Sequence, residues 1–349
     1  MKLKFGALVV IAAMIGLAAP LHAATTKKAE SQVGKKVASK PASKLAAKPR
    51  TKKVADVAGK TRSAKGTKVT KSGGRQFIAN QASNPVRTVA NDIDPGRLAI
   101  HSSSALVIDQ TTGQTVLEKQ PDTVVPIASI TKLMTAMVVL DAGLDLHEVI
   151  AISDEDVDWL KGTRSRLPVG TTMTRETAML LALMSSENRA ANALGRHYPG
   201  GLAAFVQAMN RKAASLGMYN SRFEEPTGLS SNNVSTAHDL ARMVIAAARY
   251  PEIRSYSTTA EARLEIKGRA RDFGNTNALV RNDNWEIGIS KTGYISEAGR
   301  CLVMQAHVAG KPVVIVLLDS NGKMTRVGDA NRIKRWMESA SVASGRRSA

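Results

Sequence analysis

Pro126-Ile-Ala-Ser-Ile-Thr-Lys-Leu-Met-Thr-Ala-Met-Val-Val-Leu140 decides how the rest of this 349-residue chain is read. Ile130, Leu133, Met134, Met137 and Val138 recur at helical spacing and predict a helix over residues 129–140. Ser129 and Lys132 then stand at i and i+3, on one face of its first turn. A hydroxyl beside an amine is a possible nucleophile–base pair, but Ser-x-x-Lys alone is a weak signal. Ser320-Asn-Gly-Lys323 matches it too, in a turn after a strand.

Two further motifs give the first one its weight. Ser186-Glu-Asn188 falls in a loop between two helical stretches, although Ser230/Asn232 and Ser231/Asn233 have the same spacing. Lys291-Thr-Gly293 occurs once, at the end of the strand read from Trp285-Glu-Ile-Gly-Ile-Ser290. A helix-start Ser-x-x-Lys, an interhelical Ser-x-Asn and a strand-end Lys-Thr-Gly, in that order, are the motif set of serine enzymes that form an acyl intermediate without histidine.

The residue types follow from that reaction. A serine hydroxyl is a poor nucleophile until a base takes its proton. Lysine serves as that base only when neutral, which requires a pKa about three units below 10.4, or about 4–5 kcal/mol. Burial and nearby cations push that way, and Lys291 and the start of the Ser129 helix are both candidates to help. Ser186 is then placed to shuttle a proton between Lys132 and the leaving amine. Asn188 either holds a substrate amide or orients Lys132. Thr292 is read as a donor to a substrate carboxylate or carbonyl, and Gly293 as the position that lets an extended peptide approach the strand edge. The expected oxyanion donors are the backbone N–H groups of Ser129 and Tyr294.

Strands at both ends with helices between them predict an α/β (α+β) fold, an antiparallel sheet with an inserted helical lobe. The expected hairpins are 105–118 and 302–318, the latter turning at Gly310-Lys-Pro312. The expected helices are 175–184, 189–197, 202–216, 236–249 and 329–337.

The net charge of +20 is unevenly placed. Residues 24–95 hold 17 Lys and Arg against 4 Asp and Glu, with Phe77 as the one aromatic. Such a segment reads as a disordered basic linker, because it cannot bury enough apolar surface to offset its ordering entropy. Before it, Lys2, Lys4, the apolar run from Phe5 and the small residues at Ala23 and Ala24 read as a cleavable signal peptide over 1–23. Export argues against a nucleic-acid partner for the linker and points it toward anionic envelope polymers, or toward service as a plain spacer. The domain boundaries expected are 96–340 for the catalytic domain and 341–349 for a flexible tail. One cysteine, Cys301, excludes an internal disulfide. His147, His197, His238 and His307 lack metal-ligand spacing and no Gly-rich phosphate loop occurs, so no metal or cofactor is expected.

With those residues in place, the chain resembles the low-molecular-mass penicillin-binding proteins, the D-alanyl-D-alanine peptidases of serine peptidase family S11. The resemblance covers about residues 97–338. It includes Ser165-Arg-Leu-Pro-Val-Gly170, Ser185-Ser-Glu-Asn-Arg-Ala-Ala191, Glu225-Pro-Thr-Gly-Leu229 and Glu297-Ala-Gly-Arg-Cys301. It implies the penicillin-recognising, β-lactamase-like fold and an acyl-enzyme on Ser129, with Lys132 as base and Ser186, Asn188, Lys291 and Thr292 in the site. It also implies acylation by β-lactam antibiotics and cleavage of D-alanyl–diaminopimelyl cross-links in peptidoglycan, in the periplasm. Carboxypeptidases of the family carry an extra β-rich domain and an amphipathic anchor, and a chain that stops soon after Trp336 favours the endopeptidase branch. Three other readings stay open: a carboxypeptidase on stem pentapeptides, with Arg326 as a possible carboxylate partner; a β-lactamase, because Glu224 and Glu225 follow Asn188 by 36–37 residues; and a non-catalytic wall-binding protein.

Overall fold

An unbroken run of β-branched and aliphatic residues needs cover on both faces, and residues 313–318 are such a run. The computed structural model describes residues 87–88 and 98–347 and places this run inside an antiparallel sheet. The sheet is built from β1 (Arg87–Thr88), β2 (Ser104–Asp109), β3 (Thr115–Lys119), β10 (Glu286–Ile295), β11 (Gly299–Val308) and β12 (Lys311–Ser320), in the order β1-β3-β2-β12-β11-β10. Period-two alternation divides β12 between two cores. Val314, Val316 and Leu318 pack with the helical lobe, whereas Val313, Ile315 and Leu317 pack under the C-terminal helix with Ala330, Ile333, Trp336 and Met337.

The lobe is inserted between β3 and β10. It contains α1 (Thr131–Asp141), α2 (Arg175–Met184), α3 (Asn188–Arg196), α4 (Gly201–Ser215), α5 (Ala237–Ala247) and α6 (Pro251–Thr258). Short strand pairs, β4 (Val125–Pro126) with β7 (Val234–Ser235) and β5 (Val149–Ala151) with β6 (Thr172–Thr174), tie it together. The hairpin of β8 (Glu261–Ile266) and β9 (Arg269–Gly274) completes it. α1 is buried all round from Thr131 to Val139, so it is a core helix and not the one-striped helix that its spacing suggested. Side-chain caps fix the helix starts: Thr174 accepts from the N–H of Thr177, and Thr236 from that of Asp239.

Several expected boundaries shift. Arg87–Thr88, inside the segment read as linker, pairs with β3, so the sheet begins upstream of residue 96. The remaining linker residues and the signal-peptide reading lie outside the described residues. The C-terminal helix, α7, runs Thr325–Arg347, longer than 329–337 and into the expected tail. The β11–β12 turn is made by Ala309 and Gly310, both with positive φ, and Lys311 and Pro312 already belong to β12.

Candidate active site

Ser129 sits in a 3-10 turn, Ala128–Ile130, that feeds α1. The turn is strained: Ala128 has φ +48°, a region that L-residues with a Cβ rarely occupy. Neighbours hold it there. Ile127 N–H donates to Asn233 O at 3.0 Å, and the Thr131 hydroxyl donates to Ala128 O at 2.8 Å. Two glycines close on it from opposite walls. A Cβ on Gly228 would lie 1.9 Å from Ala128 O, and one on Gly293 would lie 2.8 Å from Ile127 O and 3.1 Å from Ser129 N. Gly293 is therefore required where the strand meets the nucleophile turn. This close approach is a second demand on Gly293, beside the peptide approach expected from the sequence.

Lys132, on the first turn of α1, is wholly buried. Its ammonium donates to Ser129 Oγ at 2.9 Å, Asn188 Oδ1 at 2.7 Å and Thr227 O at 2.6 Å. Burial lowers its pKa from 10.5 to about 7, against the opposing carboxylates of Glu225 and Glu187. A lysine at about 7 is half neutral near neutral pH. A neutral amine 2.9 Å from a hydroxyl has the position and the basicity to take its proton.

The Ser-x-Asn motif lies at the α2–α3 junction, with Asn188 opening α3. Asn188 contacts Lys132, as one of its two expected uses requires. Its Oδ1 accepts from the amine, and its Nδ2 donates to Thr163 Oγ1 at 3.0 Å. Ser186 has φ +61°, a second strained non-glycine. Its hydroxyl accepts from Lys291 Nζ at 3.0 Å, so among the described residues it pairs with the second lysine and not with Lys132.

Lys291-Thr-Gly293 lies within β10 and not at its end, and β10 is an outer strand of the sheet. Lys291 is buried, donates also to Thr292 O at 3.0 Å, and has its pKa pushed well below the ordinary lysine range, first by burial and then by Lys132 and Arg326. The Thr292 hydroxyl donates to Thr276 Oγ1 at 2.6 Å. Tyr294 follows Gly293 on the strand with its ring exposed and the Arg300 guanidinium stacked over it, 4.3 Å from the centroid. Arg326, named above as a possible carboxylate partner, is half-buried. Its Nη1 donates to Gly293 O at 3.2 Å, and burial lowers its pKa.

Other contacts escaped the sequence reading. Glu225 braces the 225–230 loop, accepting from the N–H groups of Thr227 (2.6 Å), Gly228 (2.6 Å) and Ser230 (3.3 Å). Glu225 so engaged is not free to activate a deacylating water, and the Glu224 carboxylate accepts from Arg222, Ser230 and Asn232, so neither carboxylate supports the β-lactamase reading. Glu187, nearly buried, holds Ser165 Oγ and Arg166 Nε. Ser320, the second Ser-x-x-Lys serine, is buried against Ser102, and its Lys323 is exposed. Among the described residues no group of His, Cys, Asp and Glu side chains is arranged to hold a metal ion.

Peptidase family S11, D-alanyl-D-alanine carboxypeptidase, matches residues 86–322. The chain belongs to this family. It is 50% identical over 250 residues to a D-alanyl-D-alanine endopeptidase of Pseudomonas aeruginosa, covering 71% of this chain and 81% of the relative. It is 49% identical over 245 residues to a D-alanyl-D-alanine endopeptidase of Escherichia coli K12, covering 70% and 79%. The crystal structure of the Streptomyces K15 DD-transpeptidase matches with a TM-score of 0.64 at 28% identity, over 68% of this chain and 97% of that one. The fold is thus the penicillin-recognising fold, and the chain is a serine-type peptidase of family S11.

Proposed function

We propose that this protein is a D-alanyl-D-alanine endopeptidase that hydrolyses D-alanyl–diaminopimelyl cross-links of peptidoglycan through an acyl-enzyme on Ser129. The observation that carries the reading is Lys132, buried, at a pKa of about 7 and 2.9 Å from Ser129 Oγ. Lys132 takes the hydroxyl proton as Ser129 attacks the D-alanyl carbonyl. Ser186, held by Lys291, relays that proton from Lys132 to the departing amine, so the serine proton ends on the leaving group. The backbone N–H groups of Ser129 and Tyr294 receive the oxyanion, and β10, as an outer strand, offers the peptide an edge to lie along. Water then hydrolyses the ester. β-Lactam antibiotics acylate the same serine. The enzyme acts in the periplasm after signal-peptide cleavage, with the basic linker directed to anionic envelope polymers. The similarity at about half identity to two endopeptidases supports the choice of bond.

One observation favours a carboxypeptidase instead. Arg326 is half-buried beside Gly293, with its Nε unpartnered, and a substrate's terminal carboxylate would satisfy it. Purified protein incubated with cross-linked muropeptide dimers and with monomeric pentapeptides separates the two. Splitting of dimers is expected, whereas release of D-alanine from pentapeptide alone refutes the endopeptidase reading. Labelled penicillin should modify the wild type and leave Ser129→Ala unmodified.

A further inference from the structure

A cavity of about 550 Å³ opens on the face of the sheet away from the helical lobe, between α7 and residues 282–285, which lead into β10. Asn282, Asn284 and Trp285 form one wall. The other is a polar stripe of α7, in which Gly328, Asn331, Arg332, Arg335 and Glu338 recur at helical spacing, with Lys334 at its margin. Ala330, Ile333 and Met337 carry the face of the same helix that packs under the sheet. Core packing therefore accounts for one side of α7 and leaves the polar stripe without a partner.

The hydrogen-bonding groups of this lining are unbalanced. Most acceptors are engaged. Asn331 Oδ1 accepts from Trp285 Nε1 at 3.0 Å, Asn282 Oδ1 accepts from the N–H of Asn284 at 3.0 Å, and the Glu338 carboxylate pairs with Lys334. Trp285 is buried, so its bond holds the Asn331 amide by the oxygen and leaves Nδ2 as the free end. Among the described residues, the Nδ2 groups of Asn282, Asn284 and Asn331 and the Nη1 of Arg332 donate to no protein group, and Arg335 has neither a hydrogen bond nor an ion pair. The charges are also uneven. Glu338 offsets Lys334, and Asp329, behind the lining, offsets Arg332, so Arg335 is the one uncompensated charge of the lining. Asp283 lies between two of the asparagines but does not line the cavity.

We propose that this cavity is a second binding site, which takes a singly charged carboxylate carried on an amide-rich chain, as an uncut stem peptide of peptidoglycan presents at its C-terminus. The choice of polymer rests on the peptidase reading above. One uncompensated guanidinium matches one negative charge, and its planar fork suits a planar carboxylate. The cavity holds much more than a carboxylate, and the free asparagine Nδ2 groups meet the peptide carbonyls behind it. A lipid surface is the poorer occupant, because none of the exposed large hydrophobic side chains, Trp159 and Tyr219 the most exposed among them, lines the cavity. No serine, threonine, cysteine or histidine lines it either, so a peptide held there is bound and not cut. The sheet stands between this cavity and the helical lobe that carries Ser129, so both sites can be filled at once. One stem is then held while a cross-link elsewhere on the same polymer is cleaved, and the hold raises the effective concentration of substrate at Ser129.

The test uses the full chain with Ser129 first blocked as its penicillin ester, so that the cleft is closed and the second site stays open. Trp159→Phe removes the exposed tryptophan and leaves the emission to Trp285, in the cavity wall, and Trp336, on α7. A stem peptide ending in D-alanyl-D-alanine is titrated beside its C-terminal amide. The free acid should change the emission and bind about threefold more tightly than the amide. Arg335→Gln should abolish that preference, and because Arg335 is exposed the substitution leaves the fold intact. Without the block, Arg335→Glu should raise KM on insoluble peptidoglycan by at least about threefold, with kcat and the turnover of a soluble muropeptide dimer unchanged. Equal binding of acid and amide, an Arg335→Gln variant that keeps the preference, or an emission change with inorganic phosphate or anionic phospholipid vesicles that the acid peptide does not produce overturns the site. Failure of labelled penicillin to modify wild-type Ser129 would instead overturn the peptidase reading. The acid and amide peptides titrated into the unblocked chain, with and without Arg335→Gln, would then still decide the cavity.

Discussion

Replacing Lys132 by Met tests the energetics of the site directly. A pKa moved from 10.5 to about 7 means that, at and below neutral pH, folding works against the charged amine by about 5 kcal/mol. Methionine removes that penalty and keeps most of the volume of the stem. It also leaves Asn188 Oδ1 and Thr227 O without their donor, at about 1–3 kcal/mol each. The two effects nearly cancel, so Lys132→Met should be about as stable as wild type at pH 7 while acylation by labelled penicillin slows by at least about 10²-fold. The sign with pH follows from proton counting. Between about 7 and 10.5 the unfolded chain holds a proton on Lys132 that the folded chain has lost, so wild-type stability gains with rising pH across that window. Lys132→Met lacks this gain, and the stability difference should move in favour of wild type by several kcal/mol between pH 7 and pH 10. Urea unfolding at both pH values measures it. Parallel stability curves would show that the amine is not depressed, and the base assignment would lose its physical ground. Acylation of wild type should rise with pH through about 7 and then level, as the amine becomes neutral.

Three other perturbations follow from the same geometry. Gly293→Ala puts a methyl 2.8 Å from Ile127 O and displaces the Ser129 turn, so acylation should slow by about 10²-fold with the far-UV circular dichroism unchanged; an unaltered rate would show that the strand has room. Glu225→Gln removes a carboxylate that raises the Lys132 pKa and loosens the loop that it braces. The acid limb of the acylation profile should move to lower pH, and stability should fall by about 1–3 kcal/mol in urea unfolding. Lys161→Met breaks a solvent-exposed ion pair with Glu297, so it should leave the urea unfolding midpoint nearly unchanged, while peptide KM rises as the segment that holds Thr163 against Asn188 loses its far anchor.

The legible parts of the site were those that depend on local spacing. Ser129 and Lys132 share a helix turn at any burial, and the order of the three motifs was enough to choose Ser129 over Ser320. The two long hairpins and the capped helices were legible for the same reason. α6 and the β8–β9 hairpin were not. α6 begins at Pro251 and buries only Ile253 and Ser257, and β8–β9 alternates charged residues with few buried ones, Ile266 and Phe273 among them. Long-range choices were equally hidden. Ser186 faces Lys291 across 105 residues of chain, and Glu225 looked like a catalytic carboxylate because its backbone partners cannot be seen in a sequence. The positive φ of Ala128 has no sequence signal either. Only the glycines that crowd it, Gly228 and Gly293, hint at how tightly that turn is held.

That crowding explains why two lysines can share one buried site. Lys132 and Lys291 are both shielded from solvent, and two full charges there would repel each other and lose their hydration. Burial lowers both amines, Lys132 to about 7 and Lys291 well below the ordinary lysine range, and the charge of Lys132 disfavours a second proton on Lys291. One proton is what acyl transfer needs to move, from the Ser129 hydroxyl at the start to the leaving amine at the end. The two hydroxyls and two amines stand as separate hydrogen-bonded pairs, Ser129 with Lys132 and Ser186 with Lys291. A proton accepted by Lys132 sits on an amine whose basicity burial has reduced, so it can pass on to the leaving amine. The strained turns at Ala128 and Ser186 keep each hydroxyl within reach of its amine. Relaxing either turn would let water between them, restore the ordinary basicity of lysine and leave Ser129 with a charged partner unable to take its proton.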